Sequence, residues 1–137
     1  MKHWAARVHA AVYRHTRGRL LGRMGGQPVL LLETIGRHSG RRRMTPVQYL
    51  TRGETFVVVA SDGGAARPPA WYLNLRADPH ARVQAGARCV EVRAHEVTGP
   101  ERAELWQRLT AVNPYLERAA HKAGRDLPVV TLAPWTG

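Results

Sequence analysis

Apolar and polar residues alternate with two different periods along this chain, and the switches between them divide it into elements. Trp4, Val8 and Val12 recur every four residues beside Ala5 and Ala11, while Arg7 and Arg14 fall off that stripe. This predicts a short amphipathic helix over residues 4–15, which either caps a core, the stronger reading, or rests on a membrane surface. Gly18, Gly22, Gly25 and Gly26 end the pattern. An apolar run at 29–34 then predicts a buried strand, and 44–50 a second one whose Pro46 belongs at an edge or a bulge. Residues 55–60 (TFVVVA) predict a third strand, joined to the second as a hairpin through Arg52 and Gly53.

The second half alternates in the same way. A brief helix is expected at 70–77, stopped by Asp78 and Pro79. Strands follow at 81–85 and 88–97. Thr98 and Glu101 have the spacing of a capping box, and Leu105, Leu109 and Val112 continue on one helical face. Asn113 and Pro114 interrupt that helix, a further helical piece covers 115–123, and 129–133 reads as a last strand. Short strands linked by hairpins with helices between them predict a small antiparallel β-barrel flanked by helices.

Composition narrows the chemistry. The 137 residues suit one domain, and with Cys89 as the only cysteine there is neither an internal disulfide nor a Cys-based metal cluster. No apolar run is long enough to span a bilayer and no secretory signal opens the chain, so a cytoplasmic location is expected. The histidines have no metal-site spacing, and no metal is expected. His3, His9 and His15 lie six apart and cannot share a helix face. Phosphate-loop, dinucleotide and zinc-protease motifs are absent, and neither Ser39 nor Ser61 sits in a nucleophile pattern. Charge is the stronger signal: the formal net charge is +11, and 19 of the 21 basic residues are Arg. Residues 1–43 hold ten bases against the single acid Glu33. Such a localised excess draws anions, although an Arg bias also follows from base composition alone.

Two loops remain. GRHSGRRR at 36–43 joins glycines, a hydroxyl and four arginines between two strands. Its backbone N–H groups can cradle an anion that the guanidiniums neutralise, or it is a solvated basic turn. SDGGAARPPAWY at 61–72 offers small residues that let a backbone approach a flat ligand, and Trp71 either walls that ligand or plugs the barrel. Both loops leave one hairpin at the same end, which predicts that Arg43 and Ser61 are neighbours.

GRHSGRRRMTP (36–46), ASDGGAARPPAWYLNLRADP (60–79) and LPVVTLAP (127–134) together resemble the deazaflavin-dependent nitroreductase family, which binds coenzyme F420. The resemblance runs from Val29 to Pro134. It implies a six-stranded antiparallel split β-barrel related to flavin mononucleotide (FMN)-binding folds, over residues 28–137, with 1–27 as a basic helix and linker. It also implies a reductase that passes hydride from reduced F420 to a quinone, a nitroaromatic or an activated double bond. F420 carries a phosphate and a glutamate tail, which the arginine excess would complement; FMN would leave most arginines idle.

By resemblance, Arg37, His38, Ser39, Gly40 and Arg43 take the phosphate and tail contacts. Pro46, Val47, Ala60, Ser61, Gly63, Gly64, Pro69, Ala70 and Trp71 take the positions around the ring, with Ser61 and Trp71 as the catalytic candidates. Gln48, Tyr72 and Tyr115 are the substrate contacts. His38 and Asp62 stand where the family often has lysines, and Tyr115 alone remains of its substrate-pocket tyrosines. The implied partner is a small-molecule hydride acceptor, with residues 1–21 as a peripheral membrane contact and a monomer or homodimer as the assembly. A non-enzymatic nucleic-acid binder is the competing class, but its aromatic residues would interleave with the basic cluster, and here they do not.

Overall fold

The computed structural model describes residues 23–24 and 27–136, so the helix expected at 4–15 lies outside the described residues. The strands are β1 (Arg23–Met24), β2 (Gln27–Ile35), β3 (Arg42–Gln48), β4 (Leu50–Arg52), β5 (Thr55–Val59), β6 (His80–Ala85), β7 (Arg88–Glu96) and β8 (Val129–Pro134). The helices are α1 (Ala70–Ala77), α2 (Gly99–Val112) and α3 (Tyr115–Ala123). All pairings are antiparallel, and they run β3–β2–β6–β7–β8–β5–β4, with β1 added to the start of β2. The sheet curls into a half-barrel that stays open between β3 and β5.

That opening corrects two expectations. The six expected strands become eight segments among the described residues, because Arg23–Met24 adds a short strand and the strand predicted at 44–50 breaks at Tyr49, whose N–H turns to the Pro28 carbonyl at 3.2 Å. Only Leu50–Arg52 pairs with β5, so the predicted hairpin is three residues deep. β3 instead pairs with β2 along its whole length, from Val29↔Gln48 to Ile35↔Arg42. It has a strand on one side only, which is why Pro46, lacking an N–H, is tolerated there.

Side-chain alternation builds two cores. Leu30 and Leu32 of β2 point into the barrel against Phe56, Val58, Val83 and Leu132, all almost fully buried. Val57 and Val129 point the other way and meet Leu105, Leu109 and Leu116, so α2 and α3 cover the outer face of β5 and β8. β2 reads as a continuous apolar run because both of its faces are covered. The capping box does not form. Thr98 makes no side-chain cap, and Glu101 instead pairs with Arg52 at 2.9 Å.

Candidate active site

A cavity of about 350 Å³ occupies the split between β3 and β5. One wall is β3 and its continuation, from Thr45 through Pro46 and Val47 to Leu50; the other is Val59, Ser61, Asp62 and Gly63. Ser61 shares the cavity with Thr45 and Pro46, whereas Arg43, expected beside it, is not in the lining. Trp71 and Pro69 close the base, and Leu109, Val112, Asn113 and Leu116 form the lip. Trp71 is 7% exposed and belongs to the inner core while facing the cavity. It is wall and plug at once.

The second wall is held firmly. Asp62 adopts φ +42 and Gly63 φ +66, a left-handed pair that turns the chain back on itself. Gly64 follows at φ +83, where an added Cβ would stand 3.0 Å from the Ala119 carbonyl oxygen, so only glycine lets this turn press on α3. Arg125 donates to the Ala65 and Ala66 carbonyls, both at 3.0 Å. Across the mouth, Tyr115 donates to the Gly63 carbonyl at 3.3 Å and Asn113 to the Gln48 amide oxygen at 3.4 Å.

The arginine loop sits at the far end of β3. Its backbone is self-contained: Gly36 N–H donates to the Arg41 carbonyl at 2.7 Å, Gly40 N–H to the Gly36 carbonyl at 2.8 Å, and Arg41 N–H to Ser39 Oγ at 3.1 Å. The expected cradle of glycine N–H groups is therefore occupied by the turn itself, and the guanidiniums carry the loop's affinity for anions. Arg37, His38, Arg41 and Arg43 are exposed and have no acidic partner among the described residues. Arg42 differs: strand alternation turns it to the outer face, where it pairs with Glu33 at 2.9 Å. Arg43 is level with Thr34 and shares the inner strand face with Thr45 and Val47, which enter the cavity. An apolar-walled cleft with unpaired guanidiniums on the same strand face fits a molecule with a flat head and an anionic arm.

The remaining candidates are placed as follows. Gln48 lines the mouth, and Tyr115 reaches its rim. Ala60 is packed in the core, Gly64 is buried against α3, and Ala70 is exposed at the start of α1, so these three support the cavity without lining it. Tyr72 turns away from the cavity, and its hydroxyl donates to the Glu96 carboxylate. Burial and that hydrogen bond hold the phenol above its ordinary pKa. Sequence reasoning missed Thr45, Tyr49, Leu50, Val59 and Asp62 in the walls, and Leu109, Val112, Asn113 and Leu116 from the helical side. Thr45 was signalled by the period-2 row from Arg43 to Val47, and Val112 by its place at the end of the Leu105 stripe, where it is 52% exposed. Among the described residues no group of three His, Cys, Asp or Glu side chains is placed to hold a metal, and no helix is long and apolar enough to cross a membrane.

An antiparallel sheet curled into a half-barrel, with a cleft in its opening and helices on its outer face, defines the split β-barrel class of fold. The family model described as F420H(2)-dependent quinone reductase matches residues 4–134, and the chain belongs to that family. It is 37% identical over 131 residues to an F420H(2)-dependent quinone reductase of Mycobacterium tuberculosis strain ATCC 25618 / H37Rv, covering 92% of this chain and 87% of that protein. A solved structure described as F420-H2 dependent reductase FDR-A superposes with a TM-score of 0.71 at 31% identity, covering 77% of this chain and 93% of that one. A second, described as a domain-swapped dimer, gives 0.72 at 29% identity over 89% and 97%. The chain is thus an oxidoreductase of a family whose cofactor is coenzyme F420.

Proposed function

We propose that this protein reduces a quinone-type acceptor with hydride from reduced coenzyme F420, bound with its ring in the β3–β5 cleft and its phosphate and tail along the arginine loop. The observation that carries this reading is the single strand face on which Arg43 is followed by Thr45 and Val47 into the cavity. The bound deazaflavin supplies the hydride and the protein supplies position and charge. Arg37 and Arg43, with His38 in the same turn, hold the acidic arm, and Ser39 and Gly40 shape that turn. Pro46, Val47, Gly63, Pro69 and Trp71 enclose the ring and exclude water. The Ser61 hydroxyl, in the cleft lining, steadies a polar atom of the ring or the acceptor. Gln48, Asn113 and Tyr115 face the acceptor at the mouth. The basic amphipathic pattern of residues 1–21 supports contact with an anionic lipid surface, from which an apolar quinone would enter.

An equilibrium titration with F420, run beside FMN and a DNA duplex, followed by turnover of a quinone with the reduced cofactor, tests this. Micromolar or tighter binding of F420 with quinone reduction is expected. Equal binding of FMN, or salt-sensitive DNA binding without F420 binding, would overturn it.

A further inference from the structure

Asn74 is one of three buried polar residues among the described residues, 4% exposed on the α1 helix that also carries Trp71. Its Oδ1 accepts from the Arg37 backbone N–H and from Arg37 Nη1, both at 3.1 Å, and its Nδ2 donates to Thr34 Oγ1 at 3.1 Å. These bonds join residues 37 and 40 positions apart in sequence. They tie the end of β2 and the start of the arginine loop to α1. Thr34 is itself 1% exposed and is the register partner of Arg43. Asn74 therefore holds Arg37 directly and, through Thr34, the position paired with Arg43.

We propose that Asn74 is a positioning residue for the anionic arm of the ligand, fixing the Arg37 guanidinium without cancelling its charge. A neutral amide oxygen can hold one edge of a guanidinium and leave its other N–H donors to an incoming phosphate; a carboxylate in the same place would pair with it outright. The bond to the Arg37 backbone fixes where the loop departs, and the bond to Nη1 fixes where the side chain points. Burial makes both persistent, since an unpaired amide there would be costly. This inference rests on the F420 reading above.

The test is a titration of wild type, Asn74→Ala, Asn74→Asp and Arg37→Ala with two ligands: F420, and the deazaflavin ring with its ribityl chain but without phosphate or tail. Asn74→Ala is expected to weaken F420 about tenfold, as loss of a charge-assisted contact does, and to leave the phosphate-free ligand within about twofold. Asn74→Asp keeps the Oδ1 acceptor toward Arg37, and the Thr34 hydroxyl can donate to its second oxygen in place of the lost Nδ2 donor, so this variant remains informative if the alanine variant does not fold. It is expected to weaken F420 by more than Asn74→Ala while sparing the truncated ligand. In an Arg37→Ala background, Asn74→Ala is expected to cost clearly less than it does in wild type, since only its bond to the backbone of residue 37 remains. Equal losses for both ligands, an undiminished loss without the Arg37 side chain, or unchanged F420 binding in the variants would overturn the proposal. Failure of wild type itself to bind F420 would overturn the cofactor reading instead.

Discussion

The arginine hairpin and the cavity lie on one face of β3, yet they are built on opposite principles. The hairpin tip is exposed, closes on its own backbone hydrogen bonds and, among the described residues, leaves Arg37, Arg41 and Arg43 without an acidic partner. The cavity is a continuation of the core: Val47 and Trp71 belong to the inner cluster, and Leu109 and Leu116 to the outer one. Charge placed on an exposed turn contributes affinity at little cost in stability. A wall made of core residues couples binding to folding.

The sharpest way to break this contrast is at Trp71. Trp71→Ala removes a nearly buried indole that is both core and wall, so about 3 kcal/mol of stability should be lost. A fall in kcat/KM for quinone of roughly 100-fold should accompany it, because the ring's placement is lost as well. Chemical denaturation and steady-state kinetics on the same preparation check both. Loss of stability with normal kinetics would reduce Trp71 to a plug.

At the hairpin the expectation reverses. Arg43→Ala should weaken F420 by about tenfold, the ~1.5 kcal/mol of one exposed charge-assisted hydrogen bond, with an unchanged melting temperature. Isothermal titration and thermal melts measure this directly, and a shifted melt with unchanged affinity would contradict the assignment.

The same contrast explains what could be read from the sequence. The α1 helix, the β6–β7 pair, the α2–α3 break at Asn113–Pro114 and the β8 strand follow from periodicity and punctuation, which are local signals. Pro46 marked the edge for the same reason. The split at Tyr49 was not legible, because a run that alternates correctly does not say which neighbour it pairs with; β2 claimed β3 through seven register pairs. Glu101 left the capping box for Arg52, a partner 49 residues away. In the site, the motifs located Pro46, Val47, Ser61, Gly63, Pro69 and Trp71 in the lining, whereas the lip formed by Leu109, Val112 and Asn113 comes from a distant helix. Asn74 was signalled only as a polar residue in the apolar stretch AWYLNL.

Behind the cavity, Tyr72 separates support from chemistry. Its pKa is raised in the folded state, so its contribution to stability is complete below pH 10 and is lost as pH rises through and above that value. Denaturation midpoints at pH 8 and pH 10.5 should therefore fall more steeply in wild type than in Tyr72→Phe. Quinone turnover at pH 8 should change less than threefold, because this hydroxyl faces Glu96 and not the cavity. A large kinetic defect at pH 8 would give Tyr72 back its role as a substrate contact.

The smallest effect is the most selective. Arg42 and Arg43 are adjacent and carry the same charge, but alternation puts Arg42 on the outer face with Glu33, 2.9 Å away, and Arg43 on the face that leads to the cavity. If the hairpin acts only through its summed field, removing either arginine weakens F420 equally, since a Debye length of about 8 Å at physiological salt does not distinguish them. Position predicts otherwise: Arg42→Ala should change F420 affinity by less than about twofold and stability by ~1 kcal/mol, the upper end for a surface ion pair, because Glu33 is largely buried while Arg42 is exposed. Titrations of both variants at low and physiological salt decide between the two. Parallel losses that vanish together with added salt would make the loop a diffuse basic patch, and a loss confined to Arg43 would make it a site.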